Sequence, residues 1–327
     1  MVAATLISPL DAVGTANDGS DAVGCLARGG LDFEVKKVPM RHPNRDEVVA
    51  GFHNIVRTDT GDVLSVVGDK YQPIQNRDFF GDVADTLVAE SNATISRCFS
   101  ADGKSVHMII DWPRDEGISV LGDIVSKRAI IKNSHDASSV AGISLMPMRL
   151  ACLNGMVVPV GSFSFVFKIM HTITADRRIT RATNILGDAG KYFEQFGRAM
   201  NVMAETKVTD AHADTILKSI APFDTDSTKS KNKLEVVTDL WRGGQRGGNH
   251  QAIRGTAWGL FNAVAEYADH KSTIRRTRAT QGNGSVSRFN SAVGGSGYRL
   301  KLNAYDRILS DDALGIEDRI KAIIASN

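Results

Sequence analysis

Between residues 50 and 170, apolar positions alternate with polar ones in short runs broken by Gly, Pro, Asn and Asp, the pattern of half-buried strands. His53–Arg57 and Val63–Val67 flank Thr58-Asp59-Thr60-Gly61-Asp62. Gly61 supplies the positive φ of a tight connection, so the stretch predicts a β-hairpin. Tyr71-Gln72-Pro73-Ile74-Gln75-Asn76 then leads into a helix, with Asn76 as its expected N-cap and Phe79, Phe80, Val83, Leu87 and Val88 at helical spacing. Further strands are predicted at Thr94–Phe99, Ser105–Asp111, Ile124–Asn133, Ser139–Leu145 and Arg149–Leu153. An antiparallel β-sheet with a helix packed on one face would bury these apolar sides.

Beyond residue 170 the period changes to that of helices. Asp176–Lys207 carries Ile185, Leu186, Phe193, Phe196, Met200 and Met203 along one side. Thr209 or Asp210 is the expected cap of a helix ending near Ala221, and Leu234–Trp241, Arg254–His270 and Ser310–Ala325 read as further helices. Residues 1–32 are rich in Gly, Ala, Asp and Ser without a period, and read as a flexible arm with at most one short helix. The expected organisation is α+β: the arm, a β-rich core with one helix over 33–170, and a helical, basic region over 171–327. Gly243–Gly248 and Gly282–Gly297 read as loops, which in a globular domain are functional or disordered.

Charge adds an asymmetry to this picture. The 327 residues carry 39 Lys and Arg against 37 Asp and Glu, a net of +2. Residues 1–150 hold 15 basic and 20 acidic side chains, whereas 151–327 hold 24 and 17. Residues 271–301 contain seven basic groups and no acidic one: Lys271, Arg275, Arg276, Arg278, Arg288, Arg299 and Lys301. The helix dipole accounts for one or two cations after a helix end, but phosphate neutralisation accounts for the whole stretch. A solvated basic segment facing the acidic half of a neighbouring subunit is the alternative. Trp241-Arg242-Gly243-Gly244-Gln245-Arg246-Gly247-Gly248 sets two arginines among glycines beside an aromatic, either a flexible interhelix loop or a backbone open to phosphates. Candidate phosphate contacts are therefore Arg242, Arg246, Arg254, Arg275, Arg276, Arg278, Arg288, Arg299 and Lys301, with Lys168, Arg177, Arg178 and Arg181 as a second cluster.

Catalytic signatures are not apparent. Gly187-Asp188-Ala189-Gly190-Lys191 is a partial echo of a phosphate-binding loop inside an expected helix, and neither HExxH nor GxSxG occurs. His135 and Asp136 follow an apolar strand and read as a turn, with metal binding as the alternative. Phe163, Phe165 and Phe167 alternate on one strand face, more in keeping with a core than a stacking platform. Cys25, Cys98 and Cys152 are scattered, as reduced thiols in a cytoplasmic protein would be. No run has the length of a membrane span, and no cofactor is expected.

Several motifs together resemble one family. Tyr71–Asn76 as YxPxQN with Gly61 and Gly68 upstream, Ser134-His135-Asp136, Pro147-Met148-Arg149-Leu150-Ala151-Cys152-Leu153-Asn154, His171-Thr172 and Gly255–His270 resemble DUF932, a group of phage- and plasmid-encoded proteins. The resemblance spans residues 50–310 and implies mobile-element DNA biology, without established catalytic residues. By fold analogy alone the sheet with basic helical flanks also resembles the Rad52-type single-strand annealing proteins. Gly255–His270 reads as a core helix with Trp258 and Phe261 buried and Gly255 and Gly259 permitting close packing; the alternative is a polar face of Asn262, Glu266 and His270 that orients neighbouring arginines. The expected function is binding and annealing of single-stranded DNA by a homo-oligomeric ring or filament without nucleotide hydrolysis. The alternatives are a metal-dependent nuclease using His135 and Asp136, and a virion-associated or protein-interaction component.

Overall fold

The computed structural model describes residues 14–17, 19, 21–89, 91–100, 103–160, 166–175, 179, 189–274 and 284–325. Its centre is a six-stranded antiparallel sheet built from β1 (Thr15–Ala16), β5 (Thr94–Ser100), β6 (Ser105–Asp111), β9 (Arg128–Ser134), β10 (Ala141–Leu145) and β13 (Val166–Ile169), neighbours in that order. Register aligns Met108 with Ile131 and Ile131 with Ile143, so one face is a continuous apolar row. On that face lies α2 (Asn76–Ala89), seated by Phe79, Phe80, Val83 and Leu87; Val88 stays exposed. The predicted hairpin is present as β3 (Val48–Arg57) and β4 (Val63–Gly68), with Gly61 at φ +78°, and β2 (Val35–Arg41) completes a three-stranded sheet. A third, four-stranded ribbon holds β7 (Ile118–Val120), β8 (Asp123–Ser126), β11 (Met148–Arg149) and β12 (Asn154–Gly155).

The rest of the described chain is helical. Thr209 caps α4 (Asp210–Lys218), accepting from the His212 amide, as expected. α3 (Ala189–Glu205) buries Tyr192, Phe193, Phe196, Met200 and Met203. α5 (Thr228–Asp239) runs into a π-turn at Leu240–Gly244, and α6 (Ala257–Glu266) into another at Tyr267–Lys271. All ten residues of α6 are buried. A Cβ on Gly259 would stand 1.9 Å from the Ile253 carbonyl oxygen, so only glycine permits this approach. α7 (Gly284–Val293), α8 (Ser296–Leu309) and α9 (Ile316–Ala325) close the chain.

Several expectations are corrected. The described residues between 14 and 32 are not a free arm: β1 pairs with β5, and the one short helix expected there, α1 (Ala22–Arg28), capped by Asp21, buries Ala22, Cys25 and Leu26. The stretch 124–133 is two strands in two sheets, parted at Lys127. Of the strand expected at 149–153 only Arg149 pairs, with Val125 and Asn154, because the chain turns through Leu153 at φ +59°. The described residues of the Gly282–Gly297 stretch, 284–297, are largely helix. Val286, Phe289 and Ala292 recur at threefold spacing and bury on the sheet, which outweighs the glycines. One hydrophobic cluster runs from Ala22 to Ile320, so the change from strand to helix near residue 170 divides secondary structure and not the core. Phe163, Phe165 and the loop-like GDAG of 187–190 except Ala189 and Gly190 lie outside the described residues; Phe167 packs on the main core.

Candidate nucleic-acid interface

Two motifs distant in sequence meet in a buried network of charges. Arg149 Nε donates to Asp123 Oδ2 (2.6 Å), which also accepts from the Trp258 indole (3.0 Å). Asp269 accepts from the Gly155 amide at 3.1 Å and from the Lys301 ammonium at 2.8 and 3.0 Å; that ammonium also donates to the Gly155 carbonyl at 2.6 Å. Arg149 and Lys301 are both 0% exposed, a cost offset only by near-complete pairing. Cys152 is buried beside Arg149; burial pushes its thiol up to about 12 against the pull of that guanidinium.

This network holds the glycine-rich loop. Arg149 NH1 donates to the Arg246 carbonyl (2.7 Å), and the Arg246 amide donates to Glu266 Oε2 (3.1 Å). Gln245 Nε2 donates to the Gly259 carbonyl (3.1 Å). Burial raises the Glu266 carboxyl above the usual range, opposed by the Arg246 amide and guanidinium. The backbone of Arg246 is thus fixed from both sides while its side chain stays exposed. The segment is the expected core helix, with Asn262 and Glu266 buried in it, and of the alternative polar face only Glu266 meets an arginine, at the Arg246 main-chain amide.

Four of the exposed candidate cations line three clefts, and Arg246 lines none of them. Arg242 and Arg254 share one of about 460 Å³ with Trp241, Gly243, Gly248, Asn249, Gly255 and Asp210, whose carboxylate accepts from the Trp241 indole (2.9 Å). Gly243 (φ +117°) turns the chain there, leaving backbone uncovered by side chains. Arg299 lies in a second cleft, about 610 Å³, with Lys229, Lys233, Tyr267 and Asn303. Lys168 lines a third, on the sheet. Lys229 and Lys233, on α5, were not among the sequence candidates. Among the described residues, Arg242, Arg254, Arg299, Lys168, Lys229 and Lys233 form no ion pair.

Two predicted contacts are corrected. Lys301 faces the interior because its ammonium neutralises Asp269. Arg288 is half-buried, with NH1 on the Asp269 carbonyl (2.9 Å) and NH2 on the Ser272 carbonyl (3.3 Å), and burial lowers its pKa. Arg177, Arg178, Arg181, Arg275, Arg276 and Arg278 lie outside the described residues.

A second buried knot gathers the remaining motifs. Asn76 is not a cap: its Nδ2 donates to the Leu31 carbonyl, and its Oδ1 accepts from Asn133 Nδ2 and meets His135 Nε2, each at 2.9 Å. The Tyr71 ring stacks on His171 with centroids 5.0 Å apart. Burial lowers His135 to about 3 and His171 to about 4, so both are neutral near pH 7. Asp136 turns away to Ser134 and Ser138, so His135 and Asp136 do not converge on one site. Among the described residues no three His, Cys, Asp or Glu side chains gather as metal ligands, and no helix is long and apolar enough to cross a membrane.

The fold is α+β, a sheet-and-helix protein whose family motifs form its interior networks. The model of a domain of unknown function, DUF932, matches residues 63–293, and the chain belongs to this family. No curated protein and no solved structure matches it.

Proposed function

We propose that this protein binds single-stranded DNA in the cytoplasm, through the Arg242–Arg254 cleft and the Lys229–Lys233–Arg299 cleft, and promotes annealing of complementary strands. The observation that carries the reading is the first cleft: two arginines that form no ion pair among the described residues line it with Gly243, Gly248, Gly255 and Trp241, close in sequence to the Arg246 backbone that buried charges hold. Guanidinium groups fork onto phosphates, and bare backbone lets a strand approach. Annealing requires a cationic track that leaves bases free to pair and needs no nucleotide hydrolysis. Repetition of the track around a homo-oligomeric ring or filament would supply cooperativity.

The test is titration of a fluorescent oligonucleotide at several salt concentrations, with annealing of complementary strands followed in parallel. The logarithm of affinity should fall against log salt with a slope of about −0.7 for each phosphate neutralised. Arg242→Glu with Arg254→Glu should abolish binding and annealing together. A salt-independent response, or no binding at low salt, overturns the reading; degradation of the DNA with magnesium would replace it by a nuclease.

A further inference from the structure

We propose that the cleft between the outer face of the six-stranded sheet and the corner joining α7 to α8 binds a nucleoside monophosphate, its base against the inner apolar wall and its phosphate at Lys168 and Lys132. The sheet face turned away from α2 presents His107, Lys132, Gly142 and Lys168 in one row across β6, β9, β10 and β13, by register. Ile130 and Ser144 form the next row. α7 and the Gly294-Gly295 corner stand over this face, enclosing about 520 Å³, within the range of small-ligand sites.

The lining divides into the parts such a ligand needs. Ile130, Phe289 and Val293 make an apolar wall. Lys132 and Lys168 bring positive charge, and Ser138, Ser139 and Ser144 bring hydroxyls. Asn290 and Tyr298 complete the lining with an amide and a phenol able to read a base edge. Asp136, close to Lys132, already accepts from Ser138, which leaves Lys168 the more open cation. A side chain on Gly142 would collide with the Phe167 carbonyl oxygen at 2.7 Å, so the floor stays low there.

Two unsatisfied groups point to a ligand. His107 is 2% exposed, and among the described residues neither its Nδ1 nor the buried Ser139 Oγ has a hydrogen-bond partner. Buried polar atoms without partners are rare, and these two line the same cleft. The His107 ring is held by stacking on Phe99 (5.0 Å) and by the edge of Phe289 (5.2 Å), so its nitrogens keep fixed directions. Burial lowers its pKa to about 3, and the neutral ring offers one donor and one acceptor. An aromatic plane with hydrogen-bonding edges joined to an anion satisfies every part of this lining. The nucleotide is either free or one unit of a strand, and the site does not depend on the strand-binding reading above.

Calorimetric titration with adenosine monophosphate, adenosine and inorganic phosphate tests the proposal. The monophosphate should bind, and each fragment should bind at least about tenfold more weakly, as two linked sub-sites require. Lys168→Glu, an exposed position, should weaken the monophosphate about tenfold, and Asn290→Ala or Tyr298→Phe severalfold, with circular dichroism unchanged. Arg242→Glu should leave this affinity as it was even while oligonucleotide binding is lost, which separates the two readings. Displacement of the monophosphate by a 5′-phosphorylated oligonucleotide identifies a strand as the source; retention identifies the free nucleotide. Binding of the monophosphate no tighter than phosphate, or unaffected by Lys168→Glu, overturns the proposal.

Discussion

Asp269 and Lys301 form an ion pair with Nζ and Oδ1 2.8 Å apart, in which neither side chain is more than 2% exposed. Removing one member leaves the other charged without compensation in the interior. Asp269→Asn should cost about 3–5 kcal/mol in urea unfolding, and pairing it with Lys301→Met should recover most of that. Equal losses in the single and double variants would show that the uncompensated lysine is not the source of the cost.

Gly259 faces the Ile253 carbonyl too closely for any side chain. Gly259→Ala should destabilise by about 3 kcal/mol or more through forced backbone movement, despite alanine's better helix propensity. Thermal unfolding reads this directly, and a neutral result would mean that α6 shifts without cost.

Asn76 bonds three partners from one buried amide. Asn76→Ala strands the Leu31 carbonyl, the Asn133 amide and His135, at about 1–3 kcal/mol for each orphaned group. Had Asn76 acted only as a helix cap, the loss would be about 1 kcal/mol. Denaturant unfolding distinguishes the two figures.

Acid should destabilise the fold well above the carboxylate range. His107 and His135 are lowered to about 3 and His171 to about 4, first of all by burial. In the unfolded chain they titrate near about 6.5, so below that pH the unfolded state binds more protons. Their contribution is complete above the unfolded value and is lost as pH falls towards the folded values. Each costs up to about 1.4 kcal/mol per pH unit in that window. Urea midpoints between pH 7 and 4.5 should fall steeply, and less so in His171→Gln; a flat profile would show these rings protonated in the native state.

At the proposed strand site each arginine should count separately. Arg254→Ala should lower the salt slope by about 0.7, one phosphate's worth, whereas Lys301→Met, adjusted for folding, should leave the slope unchanged. A slope change for Lys301 alone would contradict its interior position.

Where the sequence was legible, local pattern sufficed. The β3–β4 hairpin, β6 and the helix capped by Thr209 rest on alternation, Gly61 and a capping hydroxyl, all signals within a few residues. α7 was masked because glycines in the sequence count against helix, yet Phe289 needed only the sheet as partner. α1 is seven residues long and mostly small, too short for a period to register. The burial of Lys301 was not legible, because its partner Asp269 is 32 positions away and Gly155 is 146 away. The site shows the same limit. Arg242 and Arg254 were visible as cations among glycines, but their sharing of a cleft depends on a loop anchored by Arg149 and Glu266, which are distant in the chain. The sheet cleft drew only Lys168 from the sequence, since its other walls come from four strands and two helices.

The bond from Lys301 to the Gly155 carbonyl has a consequence for biosynthesis. A nascent polypeptide that has emerged only as far as residue 270 has made Asp269 but not its counter-ion, so the interior locks only once Lys301 has been made. Ribosomal products released before that lysine would carry an uncompensated acid at their centre, and cellular proteases would find them as open substrates.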